Sequence, residues 1–427
     1  MKDLVWSGQQ ERALRDVGLW LAARDRQVYY LAGYAGTGKT TLAQYMAADV
    51  SGLVLFAAFT GKAASVLRRK GCPEARTLHS ILYDVSDADR TKLRELEEEL
   101  RRLLEKKATG ADDALDLNDR IGTVEELIRE ERQRTRGPRF RLNDQSIMRE
   151  ADLLVLDECS MIDERLGRDA LSFGKPILVL GDPAQLPPVK GAGFFTAKEP
   201  DTLLTEIHRQ ARDNTIISAA TSIREQRSIP FGEWGDVSHV PHNQVDLTAL
   251  CVAKAREGAQ ILVGKNESRR KINRAVRRAL GFRSLYPMEG EALVILRNDS
   301  EMGVLNGVTC RAASDAVDDG DGDLAIRLDY EGGLIPESPL DRVPFDIYRS
   351  PELEEDWHPG QNRSALVADW GYALTVHKAQ GSEWDEVLLV DDDFAKWNPS
   401  LRWQWLYTAI TRASSRLTIV SRGAPSA

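Results

Sequence analysis

The chain has 427 residues, of which 42% are hydrophobic and 29% charged, a length that exceeds one ordinary core and predicts about two to four domains. Its formal net charge of −9 excludes coating of duplex DNA by bulk charge, while leaving room for a narrow basic groove that takes one strand. No apolar run has leader-like form or approaches the ~20 residues that cross a bilayer, and Cys72, Cys159, Cys251 and Cys310 are too scattered for a zinc or disulfide framework, so a cytoplasmic, reducing setting is expected.

In chain order, Val28–Ala32 is the first of several short apolar runs suited to strands buried on both faces. Leu53–Ala58, Leu153–Leu156, Ile177–Leu180, Ile261–Val263, Val387–Val390 and Leu417–Val420 follow. Helical stretches such as Thr40–Ala48 and Ser268–Leu280 alternate with them, which predicts an α/β protein with two parallel-sheet cores.

Directly after the first run stands GYAGTGKT, Gly33 to Thr40, in the strand–loop–helix context that a phosphate loop requires. Its glycines let backbone N–H groups turn inward around phosphates, and the helix N-terminus adds a positive dipole end. Gly33, Ala35, Gly36, Thr37, Gly38, Lys39, Thr40 and Thr41 are therefore the expected nucleotide-binding positions. Lys39 would reach the β- and γ-phosphates, and the Thr40 hydroxyl would hold Mg²⁺.

Ser86–Gly137 breaks the alternation and is dense in Glu and Arg. Leu93, Leu96, Leu100, Leu103 and Leu104 recur at helical spacing, as do Leu117, Ile121, Val124, Leu127 and Ile128. This predicts two antiparallel helices, a charged hairpin serving either as a solvated strut or as a partner-recruiting arm. Next, LLVLDE delivers Asp157 to a strand end, where it can hold Mg²⁺ through water. Glu158 is then placed to orient or deprotonate an attacking water. In VLGDPAQLPPV, Val179 to Val189, the uncharged Gln185 can report a γ-phosphate by hydrogen bonds, and the stiff Leu-Pro-Pro can pass the signal on.

Arg209 in LTEIHRQ and Arg412 in YTAITRA adjoin helical segments of the second half. Read singly, each is a surface ion pair; as members of the whole set they are arginines offered across a cleft to a transferring phosphate. Between them, roughly Tyr286 to Trp370 carries short β-like runs, Ala292–Leu296, Thr309–Ala312 and Leu324–Leu328, which predict a small inserted β domain. Its acidic stretch Asp315–Asp323 reads as a hairpin turn rather than a calcium loop, because Leu324 stands where the turn glycine belongs. Finally, TVHKAQG, Thr375 to Gly381, reads as the place where a second domain meets both nucleotide and strand. Thr375, His377 and Lys378 lie on the strand side, and Gln380 and Gly381 lead back toward the cleft.

The ordered series SGQQERAL, GYAGTGKT, FTGKAA, TLHS, VLDECSMID, GDPAQLPPV, EIHRQ, TVHKAQGSEWD and YTAITRA resembles the superfamily-1B DNA helicases of the RecD-like and Dda-like branch, and the compact length resembles the phage-type Dda enzymes. The resemblance covers nearly the whole chain. It implies two RecA-like cores with ATP and Mg²⁺ in the cleft between them. The first core would span 1–85 and 138–208, interrupted by the helical hairpin at 86–137. The second would span 209–285 and 371–427, interrupted at 286–370 by a small barrel of the Src-homology-3 type.

It also implies 5′→3′ travel on single-stranded DNA, unwinding at single-strand/duplex junctions, and work as a monomer in a bacterial cell or phage-infected host. Replication or repair proteins could be recruited through the hairpin. By resemblance Gln10 reads adenine. Thr60, Lys62 and His79 match positions that meet DNA in the first core, and Thr375, His377 and Lys378 match those in the second. Hydroxyl, imidazole and ammonium groups hold phosphates without reading base edges, as a translocating motor requires. Asn298 and Asn306 of the insertion are expected to shape turns. Three other readings stay open: a phosphotransferase acting on a small substrate, an ATP-gated loading protein that does not unwind processively, and RNA as the track.

Overall fold

The computed structural model describes residues 6–422 apart from 73, 87–90, 110–116, 118–119, 125–126, 129–138, 188–192, 208–213, 300–303, 321, 331–332, 358, 360–364 and 393–397. The described chain opens with α1 (Gly8–Ala23). Ser7 accepts from the Gln10 backbone N–H at 3.3 Å while the Gln10 side chain accepts from the Ser7 N–H at 2.9 Å. This capping box satisfies two orphan donors at the helix start. Ala13, Val17 and Trp20, spaced four and three apart, form its buried stripe.

Seven strands follow in the described first half that bear on the site. They are β1 (Val28–Gly33), β2 (Val54–Ala58), β3 (Arg76–Thr77), then β4 (Tyr83–Ser86) with β5 (Arg139–Leu142) as a separate antiparallel ribbon, then β6 (Leu153–Asp157) and β7 (Ile177–Gly181). With β8 (Thr202–Leu204) they give a sheet of order β3–β2–β6–β7–β1–β8, every pair parallel. Strand β6 explains why such strands read as unbroken apolar runs. Leu153 and Val155 face the cluster built on α1 and α2 (Lys39–Ala48), while Leu154 and Leu156 face the cluster holding Leu78 and Ile81 of α4 (Leu78–Leu82) with Leu166 and Ala170. Successive side chains of a strand point to opposite sides, so a sheet covered on both faces needs both sets apolar.

The ribbon β4–β5 is the base of the 86–137 segment. Beyond it runs α5 (Thr91–Thr109), whose Leu96 and Leu103 pack with Leu117, Ile121, Val124 and Ile128 in a cluster of their own. The second apolar set departs from expectation at one position: Leu127 is exposed. The buried residues run 117, 121, 124, 128, a stripe of i, i+4, i+7, i+11 that leaves 127 on the flank.

The second half begins with β9 (Gly232–Trp234), β10 (Val237–Pro241) and β11 (Gln260–Val263). An antiparallel set comes next: β12 (Ala292–Ile295), β13 (Thr309–Ala312), β14 (Val317–Asp318), β15 (Leu324–Tyr330), β16 (Gly333–Leu340) and β17 (Ala368–Trp370). A parallel bridge between Leu340 and Leu366 joins the end of β16 to the chain entering β17, so this set closes on itself. Asp319 N–H donates to the Asp323 carbonyl at 3.2 Å across the β14–β15 turn. Leu324 is the fully buried first residue of β15.

The chain returns through β18 (Ala373–Thr375), β19 (Trp384–Val390) and β20 (Ala413–Ser421). The second sheet has the order β18–β11–β19–β20–β10–β9, parallel except for the β9–β10 edge pair. The inserted strands do not carry an isolated core. Leu293, Ile295, Leu328 and Trp370 pack in one cluster with Ile261, Leu388 and Val420 of the second sheet and Val276 of the helix Asn266–Leu280. Two buried ion pairs stitch this junction, Arg269 to Asp369 and Arg277 to Glu291, the latter bidentate at 2.5 and 2.8 Å. The architecture is mixed α/β with a parallel-sheet core of RecA-like form.

Candidate nucleotide cleft and nucleic-acid interface

Parallel strands deliver polar residues to their carboxyl ends, where ligands of open α/β sheets bind. Here β1 ends in the phosphate loop, β6 in Asp157 and Glu158, and β7 in Gly181 and Asp182. These ends border a cavity of about 530 Å³. Tyr34, Ala35, Gly36, Gly38, Lys39, Thr40 and Thr41 line it from the loop and α2. Asp157, Glu158 and Gln185 line it from the other strand ends, and Gly381, Ser382, Glu383, Thr411 and Arg412 line it from the second half of the chain. Of the sequence-predicted set, Ala35, Gly36, Gly38 to Thr41, Asp157, Glu158, Gln185, Gly381 and Arg412 are thus brought to one cavity, while Gly33 and Thr37 do not line it.

The loop takes the conformation its glycines allow. Gly36 and Gly38 both have φ 78°, in the left-handed region. Thr37 is buried and its hydroxyl donates to the Tyr34 carbonyl at 2.8 Å, closing the turn. Lys39 donates to the carbonyls of Gly33 and Tyr34. Thr40 donates to Asp157 at 3.0 Å, so the two residues read as metal ligands present adjacent oxygens. Hard oxygen donors of this kind suit Mg²⁺.

Glu158 has φ 53° and ψ 43°, a left-handed conformation unusual for a residue with a side chain. Burial pushes its carboxyl above the usual carboxylate range; the Arg412 guanidinium works against that shift and Asp157 works with it. Arg412 is buried, with its guanidinium donating to the carbonyls of Thr408 at 3.0 Å and Ser382 at 3.1 Å, and to the Thr411 hydroxyl. Its orientation is therefore set by its own segment. Among the described residues, Gln185 Oε1 and Ser382 Oγ are buried without a partner, and both belong to the cavity wall. Arg209, the other predicted arginine, lies outside the described residues.

Gln10 is buried, with its amide donating to the Thr37 carbonyl at 3.0 Å and its oxygen taken by the Ser7 N–H. It braces the loop and is not part of the cavity wall. Gln380 is buried too and donates to the Leu186 carbonyl at 3.0 Å, bridging the two halves rather than lining the cavity.

The six residues expected to meet a strand lie outside the cavity wall. Thr60 caps α3 (Gly61–Arg69), accepting from the Ala63 N–H at 3.1 Å, and that helix contributes Ala63, Val66 and Leu67, with its C-cap Lys70, to the cavity wall. One short helix therefore touches both regions. Lys62 lies against Gly307 of the β insertion. In that insertion Asn298 accepts from the Asn306 N–H at 2.7 Å, the turn-shaping role expected for the pair. His79 is half-buried between the rings of Phe59 and Tyr83, at 5.8 and 5.7 Å, and burial lowers its pKa.

Thr375 is buried at the end of β18, so most of its side chain is turned away from any strand. His377 is half-buried, with a pKa lowered by burial. Lys378 keeps an exposed surface, yet the surrounding protein and then Arg269 push its ammonium down to about 8. At that value it remains largely a cation at neutral pH. Gly381, at φ 73°, joins this edge to the first half, because a side chain there would come within 2.9 Å of the Thr60 hydroxyl.

Two features escape the sequence reading. Gln9 accepts from the N–H groups of Thr205 and Glu206 at 2.8 and 2.9 Å, anchoring the chain just ahead of EIHRQ. Asp182 and Tyr407 hydrogen-bond across the halves at 2.7 Å. Both lie inside quoted motifs, but neither spacing nor residue type pairs them.

Comparison with known proteins places this geometry. The AAA domain family model matches residues 6–240, more than half of the chain, and the UvrD-like helicase C-terminal domain model matches residues 371–420. The chain belongs to the AAA-domain family. The ATP-dependent RecD2 DNA helicase of Deinococcus radiodurans is 30% identical over 285 residues, 62% of this chain and 36% of that relative. The chain thus spans about a third of the length of the curated relative it matches.

Pif1 helicase from Bacteroides in complex with ADP-AlF3 and single-stranded DNA is similar in fold, with TM-score 0.55 and 16% identity, over 99% of this chain and 94% of that one. A structure of two coordinating Pif1 helicases at forked duplex DNA gives TM-score 0.51 and 19% identity over 99% and 93%. These similar proteins are RecD and Pif1 helicases. Among the described residues, no helix is long and apolar enough to cross a membrane.

Proposed function

We propose that the chain is an ATP-driven DNA helicase that moves 5′→3′ along single-stranded DNA and opens duplex at junctions, working as a monomer. The observation that carries this reading is Arg412, a residue of the second half, on the wall of the same cavity as Lys39, Asp157 and Glu158 of the first. A cavity closed by groups from two cores can be tightened and released, which a small-substrate phosphotransferase does not need. The solved Pif1 complexes with single-stranded and forked DNA support the track and the junction.

In this reading the first core comprises 1–85 and 138–208, and the second 209–285 and 371–427. The 86–137 segment and the Src-homology-3-like set at 286–370 are insertions, the former a candidate wedge or docking arm. Lys39 and the loop N–H groups hold the phosphates, and Thr40 and Asp157 hold Mg²⁺. The metal supplies charge neutralisation at the β- and γ-phosphates. Glu158 takes the proton from the attacking water, Gln185 contacts the γ-phosphate, and Arg412 with Arg209 balances the charge that develops there. Gln10 reads adenine from beside the loop. Thr60, Lys62, His79, His377 and Lys378 grip phosphates of the strand, with Thr375 shaping the strand end behind them. Alternate tightening of the two cores on the strand moves the motor by a small step, against a duplex load of about 1.4 kcal/mol per stacking step.

Strand displacement on matched 5′-tailed and 3′-tailed duplexes tests the reading. Wild type with ATP should open only the 5′-tailed duplex, and Lys39→Ala neither. Opening of the 3′-tailed duplex alone would overturn the polarity, and DNA-stimulated turnover by Lys39→Ala would overturn the motor.

A further inference from the structure

Two consecutive residues of the phosphate loop are held by side chains from the other half of the molecule. The Tyr407 hydroxyl accepts from the Ala35 N–H at 2.9 Å and donates to Asp182 at 2.7 Å. The Arg224 guanidinium, on α6 (Thr215–Arg224), stands 3.9 Å over the Tyr34 ring. Tyr407 lies on α7 (Pro399–Ile410) and is 1% exposed, so its hydroxyl is shielded from competing water.

The next residue continues the connection. Thr408 accepts from the Leu186 N–H at 2.8 Å, and Leu186 in turn takes the Gln380 amide on its carbonyl at 3.0 Å. Gln380 follows Lys378 by two residues. A path of hydrogen bonds and adjoining backbone therefore runs from the TVHKAQG segment through Gln380, Leu186, Thr408 and Tyr407 to the loop that cradles the phosphates. Tyr407, Thr408 and Gln380 direct these polar groups at the first core.

Resting on the motor reading above, we propose that Tyr407, seconded by Arg224, is a positioning residue that ties the phosphate loop to the second core and carries strand engagement into ATP turnover. The hydroxyl joins Ala35 to Asp182, so a shift of α7 moves the loop, the end of β7 and Arg412 together. An ammonium or arginine placed against phosphate could act alone on charge; Tyr407 acts on geometry, by fixing where the loop N–H groups stand when the cleft closes.

Tyr407→Phe removes the hydroxyl and keeps the ring that fills the core. Phosphate release from ATP is measured with and without a single-stranded oligonucleotide, and nucleotide affinity with fluorescent mant-ADP. The DNA-stimulated kcat should fall about tenfold, inside the usual range of coupling between sites. Mant-ADP affinity and the KM for ATP should stay within about twofold of wild type. Wild-type stimulated turnover in Tyr407→Phe, or a loss of affinity equal to the loss of kcat, would overturn the proposal.

If Tyr407→Phe does not fold, Arg224→Gln at the edge of the same loop must give the same kcat-selective loss, and its failure to do so sinks the clasp. Absence of DNA stimulation in wild type would instead sink the motor reading itself. The clasp and the motor thus fail by different results.

Discussion

Glu158 combines a left-handed backbone with a carboxyl raised by burial. Strained backbone of this kind costs on the order of 1–3 kcal/mol and persists where the surrounding structure over-determines it. Its raised pKa has a functional sign. A base must be ionised to accept a proton, so turnover should fall as pH drops through a value above the ordinary carboxylate range, whereas nucleotide binding should not follow. Glu158→Gln should lower kcat about 10²–10⁴-fold with ATP affinity kept, measured by single-turnover phosphate release. Lys378 works in the opposite direction. Its ammonium, pushed down to about 8, is charged below that pH and neutral above it. Affinity for a single-stranded oligonucleotide should therefore weaken several-fold as pH rises through 8, and Lys378→Arg should flatten the profile. Fluorescence anisotropy at constant ionic strength checks both.

Among the elements, α5 and its partner segment are held by a cluster separate from those of the first sheet. Leu103 is one of its most buried members. Leu103→Asp places a carboxylate in that cluster and should cost several kcal/mol locally, on the order of a large core truncation. Because Leu154 and Leu156 sit in another cluster, Lys39-dependent ATPase should survive while strand displacement falls. Loss of ATPase in step with loss of helical circular dichroism would mean that the insertion supports the core itself. The β insertion is the contrary case. Its strands share one apolar cluster with the second sheet, and its polar junction is closed by the Arg277–Glu291 pair. Arg277→Leu would leave the Glu291 carboxylate buried and unpaired and should lower the melting temperature of the whole second half.

At the scale of the molecule, the cleft is where both halves become one machine. Gly381 has φ 73°, and a side chain there would meet the Thr60 hydroxyl at 2.9 Å. Gly381→Ala should cost about 1–2 kcal/mol for the left-handed backbone alone. It should also prise α3 from the TVHKAQG segment, two elements proposed to grip the same strand. The expected outcome is retained mant-ADP binding with reduced stimulation by DNA. Unchanged stimulation would show that the two edges move independently.

The sequence by itself determined the parallel sheets and the chemistry at their ends. Leu153–Leu156 and Ile177–Leu180 are apolar on successive residues because both faces are covered, a pattern visible without coordinates. GYAGTGKT and LLVLDE carry their function in residue type and short spacing, so Lys39, Thr40, Asp157 and Glu158 were legible as one site. The exposed Leu127 was not, since one residue of phase separates a stripe from its flank. Nor were the bracing role of Gln10, the burial of Thr375 or the common core of the β insertion. Tyr407, Arg224 and Asp182 show the reason most plainly. Their partners lie 225 and 372 residues away along the chain for Tyr407 alone. Local periodicity carries no term for such distances; only the packing of two sheets across a cleft brings those atoms within hydrogen-bonding reach.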